Sequence, residues 1–123
     1  MKSEIIRKPS SYFKISPSLP DYEKEYRNFS WKKAEGDLSW MKGKKLNAAY
    51  NAIDRNAQNW RKNKIALYWE GEKGEKEKYT FLELAEKSSR FANLLKNLGV
   101  EREDRVFFFL PRVPQLYIGF LGA

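Results

Sequence analysis

The stretch YTFLELAEKSSRFANLLKNLGVEREDRVFFFLPRVPQLYIGFLGA, residues 79–123, decides the fold. Thr80 followed three residues later by Glu83 is a capping box, the signature of a helix N-terminus. Behind it Leu84, Ser88, Phe91, Leu95 and Leu98 recur at steps of four and three, one face of a helix with Ser88 its least apolar member. Gly99 supplies the C-terminal stop. Val106-Phe107-Phe108-Phe109-Leu110 is an apolar run without alternation, which predicts a strand covered on both faces, as in a parallel sheet. Pro111 and Pro114 close it and open a helix from Val113 to Ala123. Strand, helix and strand from Tyr79 to Leu110 predict one right-handed βαβ-type unit. Such a unit does not cover its own sheet, and the last apolar helix stops without a cap or polar tail. The expectation is the front of something larger.

Outward from there, Ile65-Ala66-Leu67-Tyr68-Trp69 reads as a strand. Glu70 to Lys78, charged and carrying Gly71 and Gly74, reads as a hairpin-like turn into the short strand Lys78-Tyr79-Thr80. Before it, Asn47 is the cap of a helix with an inward stripe of Tyr50, Ile53, Ala57 and Trp60. Arg61, Lys62 and Lys64 stand at its end, where cations suit the helix dipole. Asp21 caps a short helix through Tyr22, Tyr26 and Phe29. Ser30 caps a second, from Trp31 to about Gly36, onto which Leu38 and Trp40 are expected to pack back. So many large apolar groups on short helices predict docking onto another domain. Residues 1–20, with Pro9, Pro17 and Pro20, show no periodicity and read as an irregular arm whose Tyr12, Phe13 and Ile15 pack onto a larger body.

Composition narrows the chemistry. The chain has 123 residues, 33% of them charged and 15% aromatic, with a net charge of +8 and no cysteine or histidine. No disulfide framework, zinc site, Ser-His-Asp triad or Cys-His pair is available. The basic excess lies mostly in residues 41–80, around Lys42, Lys44, Lys45, Arg61, Lys62 and Lys64. It reads as a solvated face. The other reading is a small basic, aromatic-rich module for RNA or for a partner enzyme; the aromatics fall on packing positions, which speaks against nucleic acid. There is no signal-peptide core, and the longest apolar run, Val113 to Ala123, is too short to span a bilayer. No membrane association and a cytoplasmic location are the expectation.

Few residues suggest chemistry. Asp54 and Arg55 are adjacent on a helix and so point about 100° apart; structural hydrogen bonding is their expected role. Arg112 follows the C-terminal end of a strand, where ligands of open α/β sheets gather, and is a phosphate-contact candidate against a default of surface arginine. Glu101, Glu103 and Asp104, mixed with Arg102 and Arg105, read as a solvated loop. Gly71-Glu72-Lys73-Gly74 is no phosphate loop, since no Ser or Thr follows a Gly-Lys and no helix follows directly. Gly119 and Gly122 read as sites of close backbone packing. The expectation is a chain with no catalytic, cofactor-binding or metal-binding residue.

Several blocks carry a family resemblance. Leu46-Asn47-Ala48-Ala49-Tyr50-Asn51-Ala52-Ile53-Asp54-Arg55 resembles the LN-x-x-Y-N-x-x-DR block near the front of AMP-forming acetyl-coenzyme A synthetases. Lys64 to Glu72 is similar to the strand that follows it there. Tyr79 to Leu84, Arg90 to Asn93, Gly99-Val100, Asp104 to Val106 and Leu110 to Tyr117 resemble the next helix and strand-to-helix blocks. Phe29-Ser30-Trp31 and Leu38-Ser39-Trp40 resemble the family's N-terminal segment. One departure is Asn56, where the family usually has histidine. The resemblance implies an α/β fold: an irregular arm (1–20), a helical N-terminal extension (21–63) and the start of a large adenylate-forming domain (64–123), incomplete as given. It implies for the parent protein an acetate–CoA ligase that uses ATP, magnesium and coenzyme A, the rest of the synthetase chain being the partner. The family's phosphate-gripping loop, acyl pocket and catalytic lysine match nothing here, so the implied role of this chain is scaffold, inactive alone.

Overall fold

The computed structural model describes Lys14, Ile15 and residues 17–123. Most of the irregular arm, including Tyr12 and Phe13, lies outside the described residues; Ile15 is exposed. The chain forms two compact units, Met1–Leu38 and Ser39–Ala123.

The described residues of the first unit hold two short helices whose ends are read locally from the sequence. In α1 (Tyr22–Asn28) the Asp21 carboxylate accepts from the Lys24 N–H at 3.0 Å; Glu23 and Glu25 lie in the first turn and Arg27 in the last, as the helix dipole favours. In α2 (Trp31–Gly36) the Ser30 hydroxyl accepts from the Lys33 N–H at 3.2 Å. Tyr22 stacks on Tyr26, and Phe29 meets Trp31 edge-on at 5.2 Å between centroids. All four rings remain exposed.

The second unit begins with a buried amide. Asn51 accepts from the Ser39 N–H (2.8 Å) and donates to the Ser39 carbonyl (3.0 Å), the pairing a neighbouring strand would make. Asn47 caps its helix by accepting from the Tyr50 N–H at 2.8 Å. The turn that follows is a π turn, Tyr50–Asp54, in which the Arg55 N–H reaches back to the Tyr50 carbonyl; one α-helical turn, α3 (Arg55–Ala57), completes it. Ile53 and Ala57 are buried as the stripe required, but Trp60 is not: it is 70% exposed. The helix ends at Ala57, so the three-and-four spacing ceases to place residues on its inner face.

Next comes an antiparallel hairpin, β1 (Ile65–Glu70) with β2 (Lys76–Thr80), in the register Glu70↔Lys76 to Ile65↔Thr80 with an irregularity between Ile65 and Leu67. Gly74 takes a φ of +84° in its turn, which suits a residue without Cβ. The chain passes directly into α4 (Phe81–Asn97). Its capping box is complete: the Thr80 hydroxyl accepts from the Glu83 N–H (3.2 Å), and the Glu83 carboxylate accepts from the Thr80 N–H (2.8 Å). At the far end Gly99, at φ +82°, donates to the Lys96 carbonyl and Val100 donates to that of Leu95, a Schellman closure. Leu84 and Ser88 are buried, whereas Leu98, the C-cap, is 71% exposed and leaves the predicted inward face.

The Thr80 backbone N–H and hydroxyl hold the Glu83 carboxyl below the usual carboxylate range. A lowered folded-state value stabilises the fold above the unfolded value, about 4.3 for glutamate, and that stabilisation is lost as pH falls through the folded value. Thr80→Ala is expected to cost about 0.5–2 kcal/mol at neutral pH and to flatten the acid limb of the stability curve. Thermal melts of both proteins across the acid range check this; an unchanged acid limb would contradict it.

The apolar run does not finish a βαβ unit. Residues 106–110 join no ladder among the described residues, where the only sheet is the two-stranded hairpin. The predicted second strand is therefore corrected to an unpaired run, with exposure alternating over Val106, Phe107, Phe108 and Phe109. A strand exists only where a neighbour supplies the ladder, and none of the described segments does so. The fold class stays mixed α/β. Helix α5 (Pro114–Gly122) forms as expected, with Pro114 at its first position and fully buried. It packs on α4 through its glycines. A Cβ on Gly119 would strike the Phe108 ring, and one on Gly122 would lie 2.5 Å from the Ser88 carbonyl oxygen. Phe108 in turn sits between Phe91 (6.1 Å) and Phe120 (5.0 Å).

Candidate functional site

The residues with chemical potential do not converge. Asp54 lies in the π turn and borders a cleft of about 510 Å³ between that turn and α4, with Tyr50, Gln58, Glu86, Ser89 and Arg90. Partial burial raises its carboxyl above the usual aspartate value. A raised folded-state value means that the group favours folding below its unfolded value, and that this contribution is lost as pH rises through the folded one. Asp54→Asn is thus expected to stabilise the second unit slightly at neutral pH and to change nothing in acid. Denaturation at both pH values checks the sign; a loss of stability at neutral pH would show instead that the carboxylate is needed.

Asn56, in the position where histidine was expected, makes a local bond of its own. Its amide donates to the Ala52 carbonyl at 2.9 Å, and its oxygen accepts from Arg61 Nη1 at 3.2 Å. The substitution leaves a satisfied buried amide that links the helix to the turn after it. This role follows from side-chain reach, which no sequence periodicity displays.

Arg112 sits on a second cleft, about 490 Å³, between the hairpin turn and residues 111–113. Its carbonyl accepts from the Trp69 indole N–H at 2.6 Å. Glu70, Glu72 and Glu75 line the same cleft, against Lys73. Three carboxylates oppose a phosphate at this point. The neighbouring Gly71–Gly74 turn is already filled by the chain's own anion, for the Glu75 carboxylate accepts from the Lys73 N–H at 3.0 Å. Between Glu101 and Asp104, the Asp104 carboxylate accepts from the Glu101 N–H at 2.8 Å, and Glu103 takes a φ of +79°. That carboxylate closes a turn in an exposed loop. Among the described residues no group of three or more acidic side chains is placed to hold a metal ion, and no helix is long and apolar enough to cross a membrane. Among the described residues, Asp54, Arg112 and the Glu101–Asp104 turn stand apart and do not share a cleft. What they build is a helix-on-hairpin frame with apolar faces.

Comparison with known proteins gives that frame a context. The family model described as AMP-binding enzyme matches residues 53–123. The acetyl-coenzyme A synthetase of Bacillus subtilis (strain 168) is 53% identical over 107 residues, 86% of this chain and 18% of the relative. The 3-hydroxypropionyl-coenzyme A synthetase of Sulfurisphaera tokodaii is 46% identical over 98 residues, 76% of this chain and 15% of the relative. Among solved structures, the crystal structure of Brucella canis acyl-CoA synthetase superposes with a TM-score of 0.72 at 29% identity, over 83% of this chain and 18% of that one. The chain thus spans less than a fifth of the length of these relatives.

Proposed function

Because the chain belongs to the AMP-binding enzyme family, we propose that it is the N-terminal part of an AMP-forming acetate–CoA ligase and serves there as scaffold. The observation that carries this reading is the 53% identity to an acetyl-coenzyme A synthetase over 107 residues, which reaches well beyond the span of the family model. In such a parent, acetate and ATP give acetyl-adenylate and pyrophosphate, and the thiol of coenzyme A then displaces AMP. ATP, magnesium and coenzyme A belong to that parent. The described residues do not fit them: the glycine turn is occupied by Glu75, the Arg112 cleft is acidic, and no carboxylate cluster among these residues is set for a cation.

The contribution of this chain is mechanical. Residues 21–63 form the helical extension, and residues 64–123 contribute the opening hairpin, α4 and α5 of the adenylating domain. The stand-alone RNA module finds no support in the relatives the chain matches, which are acyl-CoA synthetases.

A chimera tests the reading. The corresponding segment of the B. subtilis enzyme is replaced by this chain, and acetate-dependent pyrophosphate exchange is measured. Activity within about tenfold of the unmodified enzyme is expected, with none from the 123-residue chain alone. A folded chimera that activates no acetate, or exchange by the isolated chain, would overturn the proposal.

A further inference from the structure

The turn between α3 and β1 presents an arrangement that neither the core nor the ligase reading uses. Trp60 is 70% exposed. The Arg61 guanidinium lies 5.0 Å from its ring centroid and the Lys64 ammonium 4.2 Å. Lys62 is exposed between them. No carboxylate among the described residues comes within ion-pair distance of Arg61, Lys62 or Lys64. The turn is also held at both ends. Arg61 donates through Nη1 to Asn56 and through its backbone N–H to Asn59 Oδ1 (2.8 Å), while the Lys62 and Lys64 carbonyls accept from the Leu82 and Phe81 N–H groups, each at 3.1 Å.

We propose that this Trp60–Arg61–Lys62–Lys64 turn is a docking surface for an acidic polypeptide segment. Tryptophan and arginine are among the residue types enriched where binding energy concentrates at protein interfaces. No carboxylate of the described residues pairs with these cations, so carboxylates of a partner gain an attraction that no described acid competes for. The guanidinium has one amino group engaged by Asn56 and keeps the rest of its fork for a carboxylate. The turn is pre-organised by its backbone bonds, so little ordering remains to be done on binding. The indole supplies an apolar plate that a segment carrying only charge would not need, which favours a polypeptide over an inorganic anion.

The test uses a fluorescein-labelled peptide that alternates glutamate with leucine, with the chain titrated into it at low ionic strength and anisotropy as readout. Saturable binding is expected, weakening with salt, falling at least about tenfold in Lys64→Gln and lost in Trp60→Ala. Both side chains are exposed, so both variants keep the fold, checked by far-ultraviolet circular dichroism. Equal binding by the Trp60→Ala chain would reduce the effect to net charge and overturn the proposal. Displacement of the labelled peptide by pyrophosphate or a single-stranded oligonucleotide, at concentrations far below those at which unlabelled peptide displaces it, would also overturn it and identify a phosphate site. Absence of binding at low ionic strength removes the surface altogether.

Discussion

Leu84→Ala is expected to abolish cooperative unfolding of the second unit near room temperature. Leu84 is 3% exposed, and the buried apolar set around it is small: Ile53, Ala57 and the ring of Pro114. Truncating a buried leucine costs about 2–5 kcal/mol. A unit of this size holds of order 5–10 kcal/mol in total, and one with so few buried apolar groups sits at the low end. Leu94, on the same helix but half exposed, is the control, with an expected cost well below that of Leu84. Urea denaturation followed by circular dichroism reads both. A Leu84→Ala protein whose midpoint stays close to the parent's would show that the α4 seam is not where the stability lies.

Replacing Phe107 and Phe109 with lysine should turn a self-associating chain into a monomer. Phe107 is 88% exposed and Phe109 fully so, on a run that no strand pairs. Unpaired backbone beside exposed aromatics is a template for edge-to-edge association. Full burial of each phenylalanine is worth about 1.5–3 kcal/mol, so two per chain drive association at working concentrations. Neither ring supports the fold, and the double variant should melt as the parent does. Sedimentation velocity over a range of concentrations decides the matter. A parent chain that runs as a single monomeric species throughout would refute the expectation.

The features legible in the sequence are those whose cause lies within a few residues. Asp21, Ser30, Asn47 and the Thr80–Glu83 pair cap their helices because a short polar side chain reaches an N–H two or three residues away. Gly99 ends α4 because only it relaxes into the left-handed conformation there. Gly119 and Gly122, read as close-packing positions, meet Phe108 and the α4 backbone. The misreadings have longer-range causes. The π turn at Tyr50–Asp54 and the helix end after it put Trp60 outside, and apolar spacing carries no mark of either. Val106–Leu110 has strand composition, but a ladder depends on a neighbour that composition does not reveal. As for sites, the absence of histidine and cysteine already limited the chemistry. The acidic lining of the Arg112 cleft emerged only from folding distant residues together, whereas the role of Asn56 is local and rests on side-chain reach that periodicity does not display.

The indole bond from Trp69 to the Arg112 carbonyl joins residues 43 positions apart, with the whole of α4 between them. In kinetic terms it is a late event. The β1–β2 hairpin forms within about 1–10 μs, as such hairpins do, whereas this bond closes only after α4 has laid its length between the two ends. Trp69 therefore carries a natural clock. With Trp31, Trp40 and Trp60 replaced by phenylalanine, its emission is expected to change once as the hairpin collapses and again when residues 111–113 arrive.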